Sequence, residues 1–391
     1  MVRFLQQLLV PALLLFASIG LMVVGAEVFL RIADISYPVW YVPDSITGMA
    51  LRPGAEAIQR REGFGRISIS SAGLRDREHA LEKPAGKYRI AILGDSYAEA
   101  VQVDVEQTFW KLLERQLSAC SRLAGRTPEV LNFGVSGFST AQELLTFRHK
   151  ARTYSPDLVL LAFTSGNDVR DNSRVLDGDS TVPYFVVSDG RLTLDDSFRG
   201  DPAFRARESF AAGAFLSALR YSRTLQLINE FRRAVKSGEL ALFSAQPTEN
   251  LQKGGEEYQP PHNSDWAQAW DTTEALLSQI NSEVRESGAR FTVATLSNPG
   301  QVNPSKDVRE SLAARLDVPD LFYPERRVAA LGMREGFPVF NLAPQLQQIA
   351  SEREIFLHGF EDAPGAGHWN AEGHRIAGEL LAEMLCNNVI E

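Results

Sequence analysis

Cysteine is nearly absent: the 391 residues hold two, Cys120 and Cys386, too few for a disulfide-built scaffold and too far apart for a zinc motif. Histidine is also scarce, six in all, and nowhere clusters with acids or cysteines as metal ligands do. Neither metal nor cofactor is therefore expected. Positive charge is outnumbered. A net charge of −9 lacks the basic face that nucleic acid requires, so no nucleic-acid partner is expected. Internal repeats and long charge runs are missing too. What remains is an ordinary globular composition, 44% hydrophobic and 23% charged, long enough for one large α/β domain with insertions or two modest domains.

One apolar run departs from that average. Leu8 to Ala26 is 19 residues without a charge, enough to cross a bilayer at about 1.5 Å per residue. A cleavable signal ending at Val24-Gly25-Ala26 is the competing reading, but its apolar core would be long for that role. Apolar residues also continue past that point as Val28, Phe29, Leu30 and Ile32. An uncleaved transmembrane anchor over 1–34 is expected. Arg3 precedes the span, whereas Glu27, Arg31 and Asp34 after it net to −1. The positive-inside bias then favours a single-pass inner-membrane protein with its body in the periplasm or outside the cell.

Residues 35–85 read as a stalk without clear period in 35–65, ending in a half-buried strand at Arg66–Ser70. The core opens with Tyr88–Leu93, an apolar strand running into Gly94-Asp95-Ser96, followed by a helix over 105–120. A second strand, Glu129–Asn132, meets Gly134 and Gly137 before a helix from Thr140. A third, Asp157–Phe163, is apolar almost throughout, as strands covered on both faces are, and ends at Gly166-Asn167-Asp168. Strand and helix alternate again late, with helices 264–286, 321–334 and 371–386 and strands Phe291–Leu296 and Pro338–Leu342. Such alternation predicts a parallel sheet with right-handed crossovers. The core therefore occupies 86–171 and 263–391, interrupted by a cap over 172–262. That cap should hold a hairpin at Tyr184–Leu194, a long helix near 208–236 and a polar loop over 245–263.

Ligands collect outside the carboxyl ends of such strands. Asp95 and Ser96, Asn132 to Ser136, and Asn167 and Asp168 each follow a strand end directly, so the fold itself would gather them. Taken singly, Ser96 reads as a helix cap, Gly134 as a turn glycine and Asn167 as a turn residue. Their joint occurrence at three consecutive strand ends points to a site. A serine nucleophile needs a base, and His368, in a glycine-rich loop before the final helix, is the histidine so placed; His374, one turn into that helix, reads as surface or cap packing.

Gly94-Asp95-Ser96, Asn132-Phe133-Gly134-Val135-Ser136-Gly137, Gly166-Asn167-Asp168 and His368-Trp369-Asn370-Ala371-Glu372-Gly373-His374 resemble, in order, the four blocks of the SGNH (GDSL) hydrolase family. The resemblance covers 88–170 and 264–386. It implies a flavodoxin-like three-layer α/β/α sandwich with a five-stranded parallel sheet. It also implies Ser96 as nucleophile, His368 as base, and an oxyanion hole of the Ser96 N–H, the Gly134 N–H and the Asn167 side chain. One departure matters: the family places Asp two or three residues before its histidine, where this chain has Gly365 and Ala366. Asp362 is expected to fold back onto His368 instead, with Glu361 or a backbone carbonyl as the alternatives.

The expected activity is hydrolysis of an O-acyl, specifically O-acetyl, ester on an envelope or exopolysaccharide carbohydrate or on a lipid. The alternatives are transfer of that acyl group to a sugar hydroxyl, through the same acyl-enzyme, and a non-catalytic polysaccharide-binding or scaffold role. A G-x-S-x-G elbow of the α/β-hydrolase kind fits poorly, because Ser96 follows the first core strand rather than a later one. The two cysteines close helices that a flavodoxin-like order would pack side by side. A bridge between them is feasible, two separate buried thiols being the other reading.

Overall fold

The structure, a computed structural model, describes residues 2–236, 255–361 and 363–390. The chain divides into two units, Met1–Trp40 with Arg207–Gln246, and Tyr41–Ala206 with Pro247–Glu391.

The larger unit opens with two antiparallel hairpins, β1 (Tyr41–Asp44) with β2 (Gly48–Leu51) and β3 (Glu56–Gln59) with β4 (Gly65–Ser68). Much of the expected stalk is thus folded structure. Its strands are four residues long, and of them β4 alternates buried and exposed residues, as expected for Arg66–Ser70, whereas β1 and β3 are half-buried without a period. The core strands follow: β5 (Lys87–Gly94), β6 (Thr127–Asn132) and β7 (Leu158–Phe163). A third hairpin joins β8 (Tyr184–Ser188) to β9 (Arg191–Asp195), and the sheet is completed by β10 (Arg290–Thr295) and β11 (Val339–Asn341). The order across the sheet is β11-β10-β7-β5-β6, parallel throughout. That is the flavodoxin-like 2-1-3-4-5 arrangement, as the sequence led us to expect.

Period-two burial builds the three layers. Ile90 and Ile92 of β5, with Leu158 and Leu160 of β7, pack among Phe109, Leu113, Leu381 and Leu385. The alternate residues Ala91, Leu93, Val159 and Leu161 face Leu144, Trp270, Leu277 and Val328 on the other side. Strands enclosed in this way must be apolar on both faces, and their sequences are. On the first face, helix Phe109–Leu117 lies against helix Ala371–Asn388. Their carboxyl ends are level, and Cys120 is disulfide-bonded to Cys386. The bridge ties positions 266 residues apart, which stabilises by roughly 2–5 kcal/mol, mainly by restricting the unfolded chain.

The expected cap is divided. Its hairpin forms as anticipated, within the larger unit, but 207–236 belongs to the smaller unit with the N-terminal helix. The single long helix expected there is two, Phe210–Tyr221 and Arg223–Lys236. Ser222 between them is extended, and its hydroxyl accepts from Leu225 N at 3.2 Å, starting the second helix as a cap. Of the polar loop expected over 245–263, residues 245–254 lie outside the described residues, and Glu256–Tyr258 makes one 3-10 turn. The smaller unit begins with helix Val2–Ile32, whose stretch Pro11–Ile32 is long and apolar enough to cross a membrane, at mean hydropathy 2.3.

Candidate active site

The site begins where β5 ends. Asp95 caps the one-turn helix Ser96–Glu99, its Oδ1 accepting from Tyr97 N at 2.9 Å. This turns the Ser96 side chain outward at the sheet's carboxyl edge. The turn is held from below by Asn132, which the sequence placed here, and by Arg75 and Glu99, which it did not reveal. The Asn132 side chain donates to Ala98 O at 2.9 Å. The buried Arg75 guanidinium donates to the carbonyls of Glu99 and Ala100 at 2.6 and 2.9 Å, and to Val103 O at 2.6 Å. Glu99 in turn accepts from Tyr41 Oη at 2.9 Å and from Ser136 N at 2.6 Å. Burial lowers Arg75 to about 10, against the raising effect of Glu99 and other acids, so it stays charged at neutral pH.

His368 comes to Ser96 from the loop before the last helix. Its Nε2 is 2.8 Å from Ser96 Oγ. Its Nδ1 is 2.6 Å from Glu62 Oε2, and its backbone N–H donates to Glu62 Oε1, also at 2.6 Å. Glu62 sits in the turn between β3 and β4, in the stretch read from sequence as stalk. It occupies the position beside His368 Nδ1 that the sequence reading gave to Asp362. The Nδ1 of His368 carries one hydrogen, and Glu62 accepts it. Asp362, assigned to that task from its proximity in sequence, lies outside the described residues, and Glu361 is exposed.

Loop glycines make the Glu62 contact fit. A Cβ on Gly367 (φ +71°) would lie 2.1 Å from Glu62 Oε1, so a side chain there would displace the carboxylate. A hydrogen-bond chain fixes the same loop: Trp369 Nε1 donates to Ser297 Oγ at 2.8 Å, Ser297 Oγ meets His358 Nε2 at 2.9 Å, and His358 Nδ1 meets Gly367 O at 2.9 Å. For that chain to close, His358 must be neutral with its hydrogen on Nδ1, directed at the Gly367 carbonyl. Burial pushes it down to about 3, which keeps it neutral.

The electrostatics match the geometry. Burial disfavours the charged form of His368, but the hydrogen bond and charge of Glu62, with help from Asp95 and Glu99, outweigh it and raise its pKa above 6.5. Burial likewise raises Glu62, and the bonds from His368 more than reverse this, leaving its carboxyl below the ordinary 4.5. The two shifts agree on an imidazole stabilised as a cation by a carboxylate that stays ionised. His374 is buried, neutral and pushed down to about 3, and accepts from Phe109 N at 3.3 Å. It packs in the interior, not at the surface or the helix cap as expected from the sequence.

Of the three expected oxyanion donors, two are available. Ser96 N–H heads its helix with no acceptor among the described residues. Asn167 donates one Nδ2 hydrogen to Asp95 Oδ2 at 2.9 Å, which orients the amide and leaves the other hydrogen free. Gly134 is different: its N–H donates to Asn132 Oδ1 at 3.0 Å. Its lack of a side chain serves packing instead, since a Cβ would lie 2.4 Å from Ala98 Cβ. Sequence gave no sign that the neighbouring asparagine would take this hydrogen. Gly134 lines a separate cavity of about 270 Å³ beside Phe133 and Leu145. Gly137, further along the same turn, is exposed.

Ser96, Asn167 and His368 open on a cavity of about 430 Å³ with Arg170, Tyr258 and Asn298 in its wall. Among the described residues no group of three His, Cys, Asp or Glu side chains is arranged to hold a metal ion.

Blocks far apart in sequence thus converge on one pocket. No protein-family model matches the chain, and no curated protein matches it. Solved structures similar to it include an acetyl xylan esterase, at 11% identity over 77% of this chain and 100% of that one, with TM-score 0.38. Another is a catalytic mutant of an acetylxylan esterase from Geobacillus stearothermophilus, at 10% identity over 77% and 94%, TM-score 0.38. A third is a lipolytic protein of the G-D-S-L family from Desulfitobacterium hafniense, at 11% identity over 76% and 100%, TM-score 0.36.

Proposed function

We propose that the chain is a serine ester hydrolase of the SGNH type. The observation that carries this is the relay from Ser96 Oγ to His368 Nε2 at 2.8 Å and from His368 Nδ1 to Glu62 at 2.6 Å. His368 takes the Ser96 proton as the hydroxyl oxygen attacks the acyl carbon. Glu62 stabilises the resulting imidazolium, and Ser96 N–H and the Asn167 amide hold the oxyanion. Collapse of the tetrahedral species expels the alcohol, which receives the proton from His368. Water, deprotonated by the same imidazole, then releases the acid and restores Ser96.

The substrate is an O-acyl ester, specifically an O-acetyl ester, on a carbohydrate or lipid of the cell envelope. A cavity wall with Arg170, Asn298 and Tyr258 suits a polyhydroxylated alcohol portion. The apolar Pro11–Ile32 stretch supports an inner-membrane anchor with the catalytic unit exported. Full-length protein in detergent should turn over p-nitrophenyl acetate and label with a fluorophosphonate, both lost in Ser96→Ala. Labelling that persists in that variant excludes Ser96 as nucleophile. Adding an oligosaccharide acceptor would divert acetate from water to sugar only if the enzyme transfers.

A further inference from the structure

The smaller unit carries a surface that ester chemistry does not use. At the end of the apolar N-terminal helix, the Glu27 carboxylate accepts from Arg223 N at 3.1 Å, Thr224 N at 3.0 Å, Thr224 Oγ1 at 3.0 Å and Ser222 Oγ at 3.1 Å. It therefore caps helix Arg223–Lys236, whose exposed N–H groups favour an anion. One turn on, Arg31 donates to Tyr221 O at 2.6 Å, and Tyr37 N donates to Gln226 Oε1 at 3.0 Å. The junction of the two helices is thereby fixed to the last turns of the span and the residues just after it.

Those helices display apolar residues outward. Phe210 to Leu219 contains no charged residue, yet Phe210 is 92% exposed and Phe215 40%. In the second helix Leu227, Ile228, Phe231 and Val235 recur at i, i+1, i+4 and i+8, within an arc of about 100°. All four are 41–59% exposed. The buried side of this helix is thus not where its apolar stripe lies. Arg223 and Arg232 lie about 40° beyond the two edges of the stripe, and Arg220 is in the last turn of the preceding helix.

An apolar face of this extent marks a binding surface, and three observations select lipid as its occupant. It is pinned to the end of a stretch whose window is only 6% buried. It belongs to the same unit as that stretch and is, like it, exposed and apolar, and its flanking arginines complement anionic headgroups. We propose that helices Phe210–Tyr221 and Arg223–Lys236 lie in the headgroup–acyl boundary of the leaflet where the span ends. Leu227, Ile228, Phe231 and Val235 face the acyl chains there, and the arginines face lipid phosphates. The proposal rests on the span being embedded in a bilayer and is independent of the ester chemistry.

The test uses full-length protein in vesicles of phosphatidylcholine and phosphatidylglycerol. The native cysteines are bonded to each other, so single introduced cysteines can carry a spin label. Labels at Ile228→Cys and Phe231→Cys should collide several-fold more readily with oxygen than with a water-soluble nickel chelate. Glu310→Cys, exposed on the larger unit, should show the reverse, and Leu15→Cys within the span should favour oxygen. If 228 and 231 are as open to nickel as 310, or closed to both probes as a protein contact would make them, the proposal is overturned. If Leu15→Cys itself is nickel-accessible, the proposal falls together with the membrane span.

Discussion

Glu62 and His368 stand 306 residues apart in the chain and share two hydrogen bonds of 2.6 Å. One fixes the His368 backbone and the other its tautomer. In Glu62→Gln the side chain can no longer accept at both positions as an anion, and the imidazolium formed during attack loses its counter-charge. We expect kcat to fall by as much as about 10⁴-fold, the loss seen when a triad acid is made an amide. Asp362→Asn should leave kcat unchanged. The reverse result in steady-state kinetics would return the role to Asp362.

Gly367→Ala is expected to act through the same carboxylate. The new Cβ would occupy the space of Glu62 Oε1, 2.1 Å away, so Glu62 must withdraw. The loss in kcat should be similar to that of Glu62→Gln. Combined, the two changes should cost little more than either alone, because both remove one interaction. Additive losses in a double-mutant cycle would show that Gly367 acts elsewhere.

Base catalysis requires neutral His368, whose pKa lies above 6.5 because Glu62 outweighs burial. The rate kcat/KM should therefore rise with pH and reach half its plateau above 6.5. Removing the carboxylate leaves burial opposed only by Asp95 and Glu99, so the midpoint in Glu62→Gln should move to lower pH. An unmoved midpoint in the pH–rate profile would separate the titration from this ion pair.

Asn167→Ala removes one of two available oxyanion donors and should lower kcat by about 10²–10³-fold with little change in KM. A loss confined to KM would make Asn167 a ground-state binding residue.

Acid should unfold the protein through its buried histidines. His358 and His374 are lowered to about 3 from 6.5, so between those values the unfolded chain binds protons that the folded chain refuses. Stability is then full above about pH 6.5 and falls as pH drops towards 3, by up to about 1.4 kcal/mol per pH unit for each histidine. Urea unfolding across this range would reveal the slope, and His374→Phe should reduce it by about one proton's share.

The sheet was legible because enclosure on both faces forces near-continuous apolar runs, which Tyr88–Leu93 and Leu158–Phe163 display. The strand-end residues Ser96 and Asn167 were legible for a related reason, since any polar group directly after such a strand reaches one edge. The level helix ends at Cys120 and Cys386 followed from the same geometry. Glu62 was not legible. Its hairpin has four-residue strands, and what selects it is its fit against Gly367 and His368 across the fold. Local reasoning preferred Asp362 because proximity along the chain was the only metric it had. Gly134 failed in the same way, since its N–H is claimed by a side chain rather than by anything in the backbone pattern.

The position of Glu62 also changes what counts as the minimal enzyme. A fragment cut at the start of β5 would keep all four recognisable blocks, Ser96, Asn167 and His368, and would still lack its acid. An engineer trimming the chain to its conserved-looking core would thus obtain a protein with the right signature and a crippled base. The same cut also removes Arg75, whose guanidinium holds the Glu99, Ala100 and Val103 carbonyls beneath Ser96, so on the proposed mechanism a chain starting at Lys87 loses both the acid and the support of the nucleophile's turn.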